Sequence, residues 1–407
     1  MELLDQALEI KEELVAIRRH LHQYPELSGM EFETGKFICS KLDEWGIPYE
    51  YGIADTGVVA IIRGNRHPET DHHMPGTLIS PRKVVALRAD IDALAMTELS
   101  GLTFASCREG VAHTCGHDGH TAVALGAAKL LKDMEESLAG DVKIFFQPAE
   151  ETTGGAERMI RQGCMENPRV HHVLGLHMDP TLPCGDVEFM YGKMMASSDE
   201  FTIILEGQGC HGAHPERGCD TIAMAAQIIT SLQTIVSRNV SPVNSAVVTV
   251  GMIHAGTAGN AIAQKAELTG IMRCLDPETR EFLRRRVREI VENTANAFGG
   301  CGKLILRPSY SALINDDATV NTVLACAEDI LGKDHIHMMA YPDMGTEDFS
   351  FFARECPSCY WHLGCGNKKD IQNNTVRDIH NPGFVMDEDC LPIGVAIQTA
   401  AILRLLG

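Results

Sequence analysis

Basic residues are in short supply: 35 Lys and Arg face 55 Asp and Glu, for a net charge of −20. A surface that acidic repels phosphate backbones and anionic lipid headgroups, which argues against nucleic-acid and membrane partners. Long apolar runs are missing as well, and no window approaches the ~20 residues that a membrane-spanning helix needs. The first residues, MELLDQALEIKEEL, lack the basic start and apolar stretch of a secretory signal. The sequence has no internal repeat and no low-complexity tract. Fourteen cysteines are present, but a chain of this length needs no disulfide scaffold. Without an export signal they read as reduced thiols of a cytoplasmic protein, many of them small buried apolar residues. The run Cys356-Pro-Ser-Cys359 has redox CxxC spacing, yet it opens no helix after a thioredoxin-like unit, and redox chemistry is not expected there.

The composition itself is that of a globular protein, 44% hydrophobic and 22% charged. Its 407 residues are enough for a large core in two domains. Apolar positions recur at helical spacing over residues 2–23 and stop before Pro25. A second helix is predicted from about Glu31 to Trp45, ahead of Gly46 and Pro48. The β-rich runs VVAIIRG, VVALRAD, VKIFFQPAEE and VHHVLGLH follow, separated by helical stretches such as HTAVALGAAKLLKDM. Strands alternating with helices predict an α/β domain around a largely parallel, doubly covered sheet. The Pro- and His-rich stretch NRHPETDHHMPGTLISP reads as a surface loop, and its His72-His73 pair as solvated rather than metal-binding. From about Met194 to Pro308 the pattern becomes strand, helix, strand, strand, helix, strand, the βαββαβ order of a split βαβ sandwich. The expected organisation is a catalytic domain in two segments, 1–193 and 309–407, with a module inserted over 194–308.

Three features fall where a doubly wound sheet presents its ligands, beyond the carboxyl ends of strands. They are Arg88-Ala89-Asp90-Ile91-Asp92, Pro148-Ala149-Glu150-Glu151, and His177. Between the first two lies His113-Thr114-Cys115-Gly116-His117-Asp118-Gly119-His120, just before a helix, and a His-Asn-Pro turn begins at His380. Taken singly, each has an ordinary explanation: a satisfied core histidine, a solvated Glu-Glu turn, a small buried cysteine. Thiolate, imidazole and carboxylate gathered at successive strand ends instead suit zinc or a similar divalent ion. In Cys115-Gly116-His117 the first and third side chains can face one way while glycine lets the backbone bend close.

The segments HTCGHDGHTA, QPAEE, LGLHMDPTLPCG, MASSDEF, GQGCHGAHP, GMIHAGTAGNAI, MGTEDFSFF and IHNPGFVMDEDCLPIG occur in that order. Together they resemble the amidohydrolase branch of the aminoacylase/carboxypeptidase metallohydrolase superfamily over nearly the whole chain. That branch includes hippurate hydrolases, N-acyl-amino-acid deacylases and indole-acetyl-amino-acid hydrolases. The resemblance implies a zinc-exopeptidase-like catalytic domain with an inserted ferredoxin-like lid and dimerisation domain. It implies two divalent ions per subunit, zinc or manganese, with cobalt or nickel accepted in vitro, held by Cys115, His117, Glu151, His177 and His380. Glu150 matches the general base and Asp90 a carboxylate that steadies a ligand. His211 matches a histidine that stabilises an oxyanion, in some relatives from the partner subunit. Asn260 and Arg273 match positions that bind the substrate carboxylate. The expected activity is hydrolysis of N-acyl or N-aroyl amino acids by a homodimer or larger homo-oligomer.

The chain departs from the family pattern in three places. It has GNAIA where a PNVIP-like run is usual around Asn260, Cys210 where glycine is usual, and a longer loop over 65–82. These bear on substrate detail rather than on the metal residues. His120, His214 and His254 read as structural or exposed, Asn260 as a turn former and Arg273 as a strand-surface charge if the family roles are set aside. Two other classes compete with the metal reading. One is a cysteine hydrolase using Cys115 with His117 or His120; the other is a binding protein without turnover, which would have no use for Glu150 beside a metal.

Overall fold

The computed structural model describes residues 2–65 and 82–407; His72 and His73 lie outside the described residues. The chain divides into two compact units. One comprises the chain up to Gly192 with Asn315–Ala340 and Phe351–Gly407; the other comprises Lys193–Ile314 with Tyr341–Ser350. In chain order the first unit holds strands β1 (Tyr49–Ile53), β2 (Gly57–Arg63), β3 (Val84–Asp90), β4 (Asp141–Gln147), β5 (His172–Pro183) and β6 (Val187–Phe189). The second holds β7 (Lys193–Met195), β8 (Ser197–Glu206), β9 (Ala246–Ala255), β10 (Lys265–Cys274), β11 (Cys301–Pro308) and β12 (Leu313–Ile314). The chain then returns to the first with β13 (Ile336–Met338) and β14 (Ser358–Gly366).

The first unit is built on an eight-stranded sheet in the order β1-β2-β4-β3-β5-β14-β6-β13. Its centre, β4-β3-β5-β14, is parallel. Every residue of β3 and β4 is buried, as expected of strands covered on both faces. The margins are mixed: β1 and β2 form an antiparallel hairpin, β2 joins β4 antiparallel, and β6 runs antiparallel to β14. The reason at the first margin is connection length, since a turn of a few residues after Ile53 cannot make the crossover that a parallel pair needs. The helix His117–Asp133 has only three residues of its seventeen that are not buried, and Cys390–Leu406 is nearly as enclosed. Both belong to one aliphatic core with the helix Lys11–Gln23. The helix expected over 2–23 is two helices, Glu2–Glu9 and Lys11–Gln23. The break falls at Ile10, whose backbone (φ −97°, ψ 8°) leaves the helical region.

The second unit is an antiparallel sheet in the order β11-β8-β10-β9 with the helices Thr221–Thr234 and Pro277–Ala297. Both helices start on an aspartate: Asp220 accepts from the backbone of Ile222 and Ala223, and Asp276 from Glu278 and Thr279, with Pro277 at the first helical position. Their apolar faces share one core with the sheet. Asp199 at the start of β8 is clamped by Arg280 and Arg284 from the second helix, with contacts of 2.7 to 3.0 Å. The ribbon of β7 and β12 completes this unit, and residues 341–350 join it through Gly345, whose carbonyl accepts from Ala196 N at 2.9 Å.

Candidate metal centre

The turn after β4 is built to hold two adjacent glutamates in different directions. Ala149 sits at φ 58°, a left-handed conformation that alanine adopts at a cost. The surroundings enforce it. Its N–H donates to Glu31 Oε1 at 2.9 Å, while Glu31 Oε2 accepts from Thr56 Oγ1 at 2.6 Å. The N–H of Glu151 donates to Asp92 Oδ2 at 3.0 Å. A side chain at Gly155 would meet Pro148 O at 1.8 Å, so the turn closes tightly only over glycine. After β3, the loop carrying Cys115 passes through Gly116 at φ 94°, which caps the helix that begins at His117. His380 is brought to the same place by its own N–H, which donates to Thr114 O at 2.8 Å.

These elements assemble two overlapping ligand sets. Cys115, His117 and His177 form one group, and Cys115, Glu151 and His380 another; within each, the ligand atoms lie within 4.8 Å of one another. Cys115 Sγ is 3.4 Å from His177 Nε2 and 3.3 Å from His380 Nε2. Glu151 Oε1 is 3.3 Å from His380 Nε2 and 3.8 Å from His117 Nε2. Glu150 joins a third group with His117 and Glu151. All six residues belong to the first unit.

The chemistry of the donors fits cations. Among the described residues, His117 Nε2 and Glu151 Oε1 are buried atoms with no hydrogen-bond partner, a costly state that a metal bond relieves. The other nitrogen of each ring is committed: His117 Nδ1 lies 2.9 Å from Asp92 O and 3.2 Å from Asp92 Oδ1, and His177 Nδ1 is 2.9 Å from Met178 O. That leaves Nε2 of each facing the cluster, since a metal-bound histidine usually commits its other ring nitrogen to a backbone carbonyl or carboxylate that fixes the ring. Burial, with His120 beside it, holds His177 well below the usual imidazole range, so its ring is neutral. Burial pushes the Cys115 thiol up, and Glu151 adds to this against His117. The protein's own groups therefore give little support to a free thiolate, the species a cysteine nucleophile needs.

The structure places Asp90 differently from Asp92. Asp90 is fully buried, contacts His120 Nδ1 at 2.5 Å and accepts from Arg88 at 2.8 Å; His120 in turn accepts from Met178 N at 2.9 Å. Asp90 Oδ2 is 3.6 Å from His117 Nε2. The carboxylate bonded to His117 Nδ1 is Asp92, which the sequence places in the same strand-end run but to which no role was given. The alternation Asp-Ile-Asp at a strand end was the available signal. Asp92→Ala is expected to weaken divalent-ion affinity and turnover by ~10–100-fold, measurable by competition with a chromophoric chelator. Unchanged affinity would reduce Asp92 to a prop for the Glu151 turn.

The remaining candidates lie in the second unit. His211 is exposed, and its Nδ1 accepts from Ala213 N at 3.1 Å. It bridges antiparallel to Ala261, and Gly212 N donates to Asn260 O at 2.7 Å, so His211 and Asn260 share one exposed corner. Arg273 on β10 is half-buried and donates to Ser198 Oγ at 2.6 Å.

Comparison with known proteins agrees with this chemistry. The profile of Peptidase family M20/M25/M40 matches residues 86–404. An N-acetyl-L-cysteine deacetylase of Bacillus subtilis is 38% identical over 383 residues, covering 94% of this chain and 85% of that one. An IAA-amino acid hydrolase of Arabidopsis thaliana is 36% identical over 399 residues, covering 97% and 86%. The crystal structure of a dinuclear metal-binding M20 peptidase of Bacillus subtilis superposes with a TM-score of 0.81 at 30% identity, over 98% of this chain and 99% of that one. The fold and site define a metal-dependent hydrolase of amide bonds. The chain belongs to Peptidase family M20/M25/M40, in the amidohydrolase branch that its motifs resemble.

Proposed function

We propose that this enzyme hydrolyses the amide bond of N-acyl or N-aroyl amino acids, releasing a carboxylic acid and a free amino acid. Two divalent ions would be held by Cys115, His117, Glu151, His177 and His380. The observation that carries this reading is the pair of ligand sets that share Cys115. Two relatives named for amino-acid amides, the deacetylase and the IAA-amino acid hydrolase, support the substrate class. The thiolate favours zinc, the carboxylate and imidazoles also suit manganese, and cobalt or nickel should substitute in vitro. Bound ions would supply Lewis acidity, lowering the pKa of water and polarising the scissile carbonyl.

The chain's own residues do the rest. Glu150, 7% exposed, would take a proton from the attacking water at its carboxylate and hand it to the departing nitrogen. His211 would donate to the developing oxyanion, from its own chain or a partner's, and Asn260 and Arg273 would hold the substrate carboxylate. Arg273 can pair with a carboxylate through two parallel hydrogen bonds that lysine cannot reproduce. Arg273→Lys is therefore expected to raise KM for N-acyl amino acids much more than for the matching amides. Equal loss on both would assign Arg273 to the strand alone.

A homodimer fits the second unit, whose edge strand β9 is exposed from Gly251 to Ala255 and includes Met252 and Ile253. Sedimentation showing a monomer in which His211→Ala still abolishes turnover would place that histidine in its own chain's site. No helix among the described residues is long and apolar enough to cross a membrane. All fourteen cysteines are free thiols, which supports a reducing compartment such as the cytoplasm. The direct test of the reaction is a panel of N-acyl amino acids assayed with each metal restored to stripped protein. Release of a free amino acid from at least one is expected; release from none, with metal bound, would refute the reading.

A further inference from the structure

Strand β14 reads SCYWHLGCG, and every residue in it is buried except His362 at its centre, which is partly exposed. A polar side chain inside such a strand needs partners. The register supplies them: Glu188 of β6 lies directly opposite His362 on one side, and His177 of β5 on the other. Asp179 stands two residues after His177 and so projects from the same face. The ligand atoms of Asp179, Glu188 and His362 lie within 4.8 Å of one another. None of the three is among the ligands of the centre described above, although Asp179 falls within the segment LGLHMDPTLPCG.

The distances within this group are informative. His362 Nδ1 is 3.5 Å from Glu188 Oε2 and 3.9 Å from Asp179 Oδ2, longer than ordinary hydrogen bonds. Among the described residues that nitrogen is buried with no hydrogen-bond partner. Metal bonds of about 2.0–2.2 Å to nitrogen and oxygen place neighbouring donors of one ion roughly 3–3.6 Å apart, a range that holds the Glu188 contact at 3.5 Å while Asp179 at 3.9 Å would have to close in slightly. Asp179 is also pre-set, because Thr181 N and Thr181 Oγ1 both donate to its Oδ1 at 2.7 Å and leave Oδ2 towards His362. A nearby group shows the contrast. His335 and His337 grip Asp186 at 2.7 and 2.9 Å, within hydrogen-bond range and already satisfied.

We propose that Asp179, Glu188 and His362 form a separate divalent-cation site, for an ion of the zinc or manganese class, beside the main centre. One imidazole and two carboxylates are the ligand types of an open site, with side chains exposed enough to leave positions for water. It lacks a thiolate and should bind zinc more weakly than the set around Cys115. The rings of His362 and His177 are 6.5 Å apart between centroids, so an ion here adds positive charge next to the centre of an acidic protein.

The test is calorimetric titration of the metal-stripped full-length protein with Zn2+, repeated with Co2+ by absorption. The parent is expected to bind one more, weaker equivalent than His362→Ala or Glu188→Gln. With cobalt, thiolate charge-transfer absorption should saturate before that last equivalent binds, and the same band in the variants shows that their main centre is intact. Cys115→Ser should lose the band and keep the extra equivalent. Equal stoichiometry in parent and Glu188→Gln, a conservative change on the sheet surface, would overturn the proposal. Absence of the charge-transfer band in the parent would count against the main centre and leave the extra equivalent to be read independently.

Discussion

Glu150→Gln is expected to keep its metal ions and to lose roughly 10²–10⁴-fold in turnover. Glu151→Gln, one residue along, is expected to lose the ions first. The two side chains are chemically identical, so the difference must come from the turn. Ala149 in its left-handed conformation, held by Glu31, and Glu151 N, held by Asp92, send the two carboxylates to different places. Glu151 Oε1 faces His380 and His117 as a ligand would, and a neutral amide is a poorer ligand than a carboxylate. At Glu150 the amide retains size and polarity but cannot accept a proton. Metal content and turnover of both variants, measured side by side, decide the matter. A Glu150→Gln protein that turns over near the parent rate with ions bound would show that Glu150 is not the base.

Arg18→Ala is expected to destabilise the protein by about 3–5 kcal/mol, as when one partner of a buried ion pair is removed. Arg18 and Asp118 are 1% and 0% exposed, and Arg18 Nε donates to Asp118 Oδ2 at 2.7 Å. His22 Nδ1 contacts the same oxygen at 2.8 Å, and Arg18 also reaches Glu388 at 3.2 Å. Burial alone would raise the Asp118 carboxyl, but Arg18 and His22 hold it far below its usual range. Without the guanidinium, a buried carboxylate keeps only a histidine as a compensating cation. Asp118 follows His117 in the chain, so the same network also steadies the start of that helix. Denaturant unfolding of the metal-stripped protein isolates this effect from ion binding. A loss below about 1 kcal/mol would mean that water enters and replaces the arginine.

The four-stranded sheet and two helices of the second unit were readable from pattern, whereas its β7–β12 ribbon and residues 341–350 were not. The sheet strands and both helices carry clean periodicities, and aspartates stand at both helix starts, so each of these elements follows from local residues. Strands β3 and β4 of the parallel centre were legible for a similar reason, as largely apolar runs leading into acidic residues. The antiparallel margins were not, because they depend on how short the connections are and where they turn. At the centre, Cys115, His117, Glu150, Glu151, His177 and His380 stood out by type and position. Glu31 did not, and Asp92 stood out without a role, since their work is to hold backbone N–H groups of a turn that exists only in three dimensions. The group of Asp179, Glu188 and His362 left no local signal at all. Its members come from β5, β6 and β14, and only strand register brings them together.

The most direct test of the central claim is turnover of an N-acyl amino acid before metal removal, after it, and after divalent ions are restored, with metal content measured at each stage. We predict that stripping abolishes hydrolysis and that activity returns as two equivalents of zinc or manganese are bound. Full hydrolysis by protein shown by elemental analysis to contain no metal would contradict the account.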